Sequence, residues 1–548
     1  MLLNKVPYTR AVVRQDEKNA KKVFLSCAAE VFSQHTGNEV EYIFDYLFVD
    51  NPDKSIFSLI EMCAFRMLTT KNNKCLCKVD MALQWREAHL KLGQDTFIAA
   101  LYAGYKSISF DWKPIIDMES SVLNKDFSAA DNHYHLYGSA PSFALNFICL
   151  MNNISGRAND FRRINTFLTS HRRYSTHERK EESLYNQCIH AAAIRLYLFR
   201  KLQGKVDEKL LSNIGQCNAL QRQIRSTQYL YSKMNNQRLY LDYALDEKSC
   251  ERDSDTLALE GERRFLYLCF RDILKASNKK LNKEDSLLFY QYLIIKNTFR
   301  RELIQSNDIK GFRNFQHYQK RKDAFISEYK QYQHATIKLA VNLTLNDPFV
   351  SSLEARISPK NTSEMNVKNI NRIDKQVMLS LQSNKKTTLT PDNFYYVLHF
   401  HKIADKKLQR DVYRINERSC GLRKRIIKQA KALHSIRTRR LSPGNSLLNS
   451  RFRGIDACAN EIGCRPEVYA PAFRYLLNAQ MNKPLHFTYH VGEEFIDIAD
   501  GLRAIDEVLT FIIPNEFNDR KRGQKYRLGH AVALGITPDH ITQIRTIR

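Results

Sequence analysis

Glycine and proline are both scarce in this chain, at 18 and 13 in 548 residues. Turn-rich all-β folds draw heavily on both, so the shortage favours long helices. Long apolar runs are missing too, and none approaches the ~20 residues that a helical membrane span requires. The opening Met1-Leu2-Leu3-Asn4-Lys5 lacks the continuous apolar core of a signal peptide. A soluble cytoplasmic protein with no membrane partner is expected. The twelve cysteines are scattered, with Cys75 and Cys77 two apart and Cys458 and Cys464 six apart. Neither spacing is that of a zinc knuckle and no disulfide framework is visible, so buried free thiols in a reducing compartment are expected. No internal repeat at a fixed period occurs, which excludes a solenoid.

What is present is enough apolar material for a sizeable core, with 43% hydrophobic residues. That composition excludes an intrinsically disordered chain. The charge is lopsided: 85 Lys and Arg against 58 Asp and Glu leave a net +27. Such a surplus attracts polyanions, whether RNA, nucleotides or an acidic protein, and says nothing about fold.

The pattern divides the chain. Residues 1–125 read as a mostly helical N-terminal extension, with Val23, Phe24, Cys27 and Val31 at helical spacing. Helices dominate again at about 150–345, where Phe265, Leu266, Cys269, Phe270, Ile273 and Leu274 form an apolar stripe with Arg263, Arg264, Arg271 and Asp272 off it. From about 350 the texture changes. Short apolar segments at 350–357, 394–399, 452–458, 485–490 and 526–532 alternate with polar helical ones, and a similar segment ends at 133–136. Strands spaced by helices predict parallel β/α units. The 402–440 stretch holds fourteen Lys/Arg against three Asp/Glu, with Leu408, Val412, Ile415, Leu422, Ile426 and Ile427 among them. It reads as a basic amphipathic segment, either a solvated helix face or an RNA-contacting surface.

Three short motifs carry chemistry. In Asp131-Asn132-His133-Tyr134-His135-Leu136, strand alternation puts His133 and His135 on one side, where two imidazoles can meet one divalent ion such as zinc. In Leu485-His486-Phe487-Thr488-Tyr489-His490-Val491-Gly492-Glu493, a period-two strand ends near His490. There Gly492 permits a tight turn, and Glu493 becomes a candidate general acid. In Tyr526-Arg527-Leu528-Gly529-His530-Ala531, His530 at a strand end can orient and deprotonate a water. Each alone also fits a structural histidine or a surface carboxylate. Thr537-Pro538-Asp539 fits a helix start.

Taken in order, H-x-H, H-x-G-E and R-x-G-H resemble the adenosine/AMP deaminase family of the metal-dependent amidohydrolases. Leu353-Glu354-Ala355-Arg356-Ile357-Ser358-Pro359 is similar to that family's early E-x-R-x-S-P strand, and 454–461 to the strand before H-x-G-E. The resemblance covers about 131–145 and 350–548. It implies an α/β fold: a TIM-like β/α barrel at 126–548, with chemistry at the strand C-termini and a helical insertion at about 150–345. It also implies a Zn2+ or other divalent transition ion held by His133, His135 and His490. On the same basis, Glu493 protonates the purine ring nitrogen and His530 positions the attacking hydroxide. The activity implied is hydrolytic deamination of adenosine or an adenine nucleotide to the inosine form. The helical extensions and basic surplus further resemble the deaminase subunit of RADAR-type anti-phage systems, which implies antiviral defence, a homo-oligomer and a partner ATPase.

Three departures qualify the carry-over. Tyr137 stands before Gly138 where the family often has Asp-Gly near the ribose, so these two candidate substrate-binding residues imply altered ribose or phosphate handling. Ala459 stands where a glycine often meets the purine edge, and its methyl would crowd that contact. The family's seventh and eighth strands supply paired aspartates, and no matching segment follows the sixth strand candidate. The expectation is a barrel incomplete after about six strands, truncated from a longer parent or covered by a partner, and inactive alone if truncated. The alternatives are a catalytically inactive scaffold that binds RNA through its basic surface, and an amidohydrolase acting on another C–N bond.

Overall fold

The computed structural model describes residues 56–71, 74–105, 129–165, 184–231, 239–245, 257–303, 321–345, 350–383, 390–403, 419–438, 451–479, 484–513 and 523–537, apart from scattered positions within these stretches. The helical pattern expected around Val23 to Val31, residues 404–418 of the basic segment and the helix start at Pro538 lie outside the described residues. Two compact units emerge, one drawn from 1–127, 141–309 and 317–339, the other from 128–140, 310–316 and 340–548.

The first unit is mainly helical. Its longer helices are α1 (Ile56–Met67), α2 (Gln94–Gly104), α3 (Ser142–Asn152), α4 (Ala158–Asn165), α5 (Leu184–Leu202), α6 (Cys217–Thr227), α7 (Leu257–Ile273) and α8 (Lys283–Leu303). Residues 330–339 of α9 (Lys330–Leu345) belong here too. The N-terminal region is not wholly helical. Leu68–Lys71 and Lys74–Cys77 form an antiparallel hairpin, and Cys75 and Cys77 are buried there at the two-residue spacing of one strand face. All ten cysteines among the described residues are free thiols, seven of them buried.

Helix α5 is buried along the whole of 188–199, which makes it the central helix of this unit. It carries Arg195, fully buried, into a closed charge network. Arg195 donates twice to Asp242 at 3.0 and 2.7 Å and once to Glu262 at 2.9 Å. Lys296 at 2.6 Å and Tyr292 complete the shell of Glu262. Two cations facing two carboxylates meet the condition under which buried charge is tolerated, because every ion is paired and hydrogen-bonded.

The apolar stripe of α7 is core as expected, and two of its four charged flanking residues are buried as well, although Arg271 is exposed. Arg263 is buried and pairs with Asp95 at 2.8 Å, and the buried Asp272 accepts the backbone N–H groups of Lys280 and Leu281. Sequence periodicity sorts apolar from polar, and it cannot detect a polar flank that finds partners on other helices.

The second unit is a mixed α/β assembly. Six strands, β1 (Ala129–His135), β2 (Val350–Ile357), β3 (Phe394–Lys402), β4 (Phe452–Ala459), β5 (His486–Val491) and β6 (Tyr526–His530), form one parallel sheet in sequence order. The helices α10 (Ser363–Ser383), α11 (Cys420–Thr438), α12 (Ala470–Asn478) and α13 (Ile498–Phe511) connect β2 through β6. A sheet that never reverses its strand order is singly wound, and its accumulated twist curls it into a half-barrel. On the outer face Leu353, Ala355, Ile357, Phe394, Tyr396, Leu398, Phe487 and Tyr489 are buried. Two contacts show the helices covering that face: Phe473 of α12 meets the rings of Phe487 and Tyr489, and Tyr396 donates to Asp374 of α10 at 2.7 Å. The inner face is polar, and it is where the candidate site lies.

The basic segment is helical from Cys420. Ile426, Ala430, Leu433 and Ile436 face inward, but Ile427 is exposed. Arg423 and Arg437 donate to the carbonyls of Glu467 and Phe452, so part of the basic charge is tied to the scaffold.

The α5 network yields a stability prediction. Arg195→Leu strands Asp242 and leaves Glu262 with Lys296 alone among cations. Unfolding of the helical unit should become easier by about 3–5 kcal/mol, read as a lower urea midpoint by circular dichroism. An unchanged midpoint would show that the network contributes nothing.

Candidate metal centre

Strand alternation on β1 sends Tyr134 outward, where its hydroxyl donates to the Ala340 carbonyl at 2.5 Å. His133 and His135 therefore face the sheet interior, with their Nε2 atoms 3.0 Å apart. On β5 the same alternation buries Phe487, Tyr489 and Val491 outward and turns His490 inward. His490 Nε2 stands 2.8 Å from His133 Nε2. One ligand atom from each of these three histidines lies within 4.8 Å of the others. The two sequence motifs, 357 residues apart at His133 and His490, thus meet at one point.

The second ring nitrogen of His490 explains how the arrangement is held. Its Nδ1 lies 3.0 Å from Oδ1 of Asp456, a fully buried carboxylate on β4. A proton on Nδ1 shared with Asp456 leaves the Nε2 lone pair directed at His133, the tautomer that a metal ligand needs. Arg356 of β2 donates to the other oxygen of Asp456, and also to Glu354 at 2.8 Å and to the Asn132 carbonyl at 3.0 Å. Burial alone would raise the Asp456 carboxyl, but His490 and Arg356 outweigh it and hold it well below the usual carboxylate range. Arg527 of β6 reaches the same Glu354 at 2.6 Å.

Burial, reinforced by His490 and Arg356, pushes His133 down to about 3, so its imidazole stays neutral at ordinary pH. Three ring nitrogens gathered this closely, two pairs of them at hydrogen-bond distance, fit a borderline transition ion better than they fit each other. Only one proton can lie between two such nitrogens, and the contact with Asp456 favours placing the His490 proton on Nδ1.

Glu493 and His530 lie at the mouth of this cluster. His530 Nε2 is 3.7 Å from Glu493 Oε1, and the His530 ring centroid is 4.9 Å from those of both His133 and His490. Parity with Leu528 would send His530 to the outer face. The strand instead ends in left-handed backbone, with φ 64° at His530 and 49° at Ala531, and this re-aims the ring. Gly492 has φ 64° just after β5, where an added Cβ would meet the Ile505 side chain at 2.8 Å. Ala459, at the end of β4, has φ 74°. A glycine would adopt that conformation freely, whereas the alanine is strained. Burial lowers the pKa of His530, against the opposing pull of Glu493.

The turn carrying Glu493 is anchored by Glu461. That carboxylate accepts the backbone N–H groups of Gly492 at 2.7 Å, Glu493 at 3.2 Å and Glu494 at 3.3 Å. Lys402, buried at the end of β3, donates to the His490 carbonyl at 2.8 Å. Of the remaining candidates, Tyr137 accepts from Arg372 of α10 at 3.2 Å, and Gly138 closes the turn after β1 through its N–H to the His135 carbonyl at 2.7 Å.

All eight residues singled out by motif belong to this unit, and five of them, His133, His135, His490, Glu493 and His530, come together. Motif reading assigns no role to Arg356, Asp456, Glu461 or His399, although they shape the same interior. The available signal was charge at inward parity within otherwise apolar strands, as at positions 354, 356 and 456. Comparison with models of known protein families yields no match, and no curated protein matches the chain.

Two outcomes follow. Chelator-stripped protein should lose stability as pH falls from about 6.5 towards about 3, because the unfolded histidines take up protons there while His133 resists. His133→Asn should flatten that slope in urea titrations across pH, and an identical slope would contradict the assignment. Glu461→Ala removes a charged acceptor from three N–H groups and should cost about 2–4 kcal/mol. Glu461→Gln should recover part of that loss, measured by thermal unfolding.

Proposed function

We propose that this chain carries the metal-dependent deaminating site of a hydrolase acting on adenosine or an adenine nucleotide. The observation that carries the reading is the convergence of His133, His135 and His490 with the Glu493–His530 pair beside them. The half-barrel supports it, since the five residues gather at the C-terminal ends of parallel strands, where barrel enzymes hold their chemistry. The resemblance of the three motifs to adenosine/AMP deaminases selects the substrate class.

On this reading His133, His135 and His490 hold a zinc-class ion, which supplies Lewis acidity that makes water nucleophilic near neutral pH. Three protein ligands leave a position open. Asp456 keeps the His490 tautomer fixed. His530, held neutral by burial, takes a proton from water at its ring nitrogen. Glu493 in its acid form gives a proton to the purine ring nitrogen as the water oxygen adds to the amino-bearing carbon. His530 then returns its proton to the amino group, ammonia leaves as the C–N bond breaks, and the hydroxyl proton passes to Glu493 as the carbonyl forms, which restores both residues. Glu461 positions Glu493 through the turn. Tyr137 and Arg372, at the end of β1 and on α10, offer a hydroxyl and a guanidinium suited to ribose or phosphate.

The test is absorbance. The zinc-loaded chain, given adenosine, AMP and ATP in turn, should lower the adenine band of at least one. His490→Ala should abolish that change, and Glu493→Gln should slow it by about 10²–10⁴-fold. No change with any of the three substrates at full metal loading would overturn the proposal.

A further inference from the structure

The inner face of the sheet holds a second ligand cluster that the reading above does not use. His399 and His401 stand two apart on β3 and so share one face. The β3–β4 register pairs His399 with Asp456 and His401 with Cys458, which brings the thiol beside the two imidazoles. One ring nitrogen from each histidine and the Cys458 sulfur lie within 4.8 Å of one another.

We propose that His399, His401 and Cys458 form a second metal site, taking a zinc-class ion on two imidazoles and a thiolate. A tetrahedral ion of that class sets such ligands about 3.3–3.7 Å apart, close to the separations of no more than 4.8 Å found here. An N₂S donor set suits zinc or cobalt and disfavours magnesium and calcium, which demand oxygen. Binding releases the Cys458 thiol proton to solvent.

Two observations argue against inert packing. His399 is 6% exposed, yet its Nδ1 has no hydrogen-bond partner among the described residues. Burying an orphaned ring nitrogen costs free energy that an apolar residue would avoid. The Ser358 hydroxyl lies 2.8 Å from His401 Nε2, an outer contact of the kind that orients a ligating imidazole. The His399 ring also stands 5.0 Å from that of His135, so the two sites adjoin. Three protein ligands leave a fourth position for water or a substrate group.

The proposal does not depend on deamination, and metal counting tests it on the full chain. After dialysis against zinc and removal of loose ions, the protein should retain about two ions per chain. His401→Ala, at an exposed position that tolerates truncation, should lower the count by one. After cobalt substitution, a near-ultraviolet thiolate-to-cobalt band should appear, disappear in Cys458→Ser and persist in His490→Ala. Absence of the band, its survival in Cys458→Ser, or a count unmoved by His401→Ala would each overturn the second site. Failure of the first site has a different signature: the band remains and His490→Ala leaves the count unchanged.

Discussion

The chain of contacts from Arg356 through Asp456 to His490 is the interaction on which the second unit's polar interior depends. A carboxylate with no exposure is tolerated only because a guanidinium neutralises it on one side and an imidazole shares a proton with it on the other. The contacts run across three strands, from β2 to β4 to β5. They convert a generic curled sheet into one with a fixed polar interior. The same contacts set the orientation of the His490 ring, so scaffold stability and the geometry of the histidine cluster come from the same side chains.

Around that axis the strand ends are built under strain. Ala459, Gly492, His530 and Ala531 all adopt left-handed backbone at the ends of three neighbouring strands. The cost at non-glycine positions is offset by what surrounds them, including the three N–H groups gathered by Glu461 and the Lys402 contact to the His490 carbonyl. Such clustering is common where side chains must be aimed away from the pleat. His530 illustrates the need, because regular alternation would have pointed it outward.

Much of the second unit was legible in sequence because its periodicities are local. The five segments from 350 onward and the one ending near His135 all emerge as strands, with shifts of a few residues at their ends. The fold expectation holds at the level of a parallel half-barrel with many helices. The first unit was less legible. The hairpin of Leu68–Lys71 and Lys74–Cys77 is too short to announce itself, and the burial of Arg263 and Asp272 depends on partners distant along the chain. For the candidate site, the histidines were visible as motifs. Asp456 and Glu461 fell inside the resembling 454–461 segment, but their roles could not be read, since a single acid has no spacing to interpret.

The sequence by itself determined the strand alternation that faces His133 with His135 and aims His490 inward, because side-chain direction in a strand is a property of neighbouring residues. It also determined, through its apolar spacing, that helices would cover one face of the sheet. Only the tertiary structure decided that these imidazoles share a point, that His399 comes to lie near Cys458, and that His530 turns back towards the cluster. Those outcomes depend on sheet curl, on inter-strand register and on backbone strain held in place by distant partners, none of which a local pattern encodes.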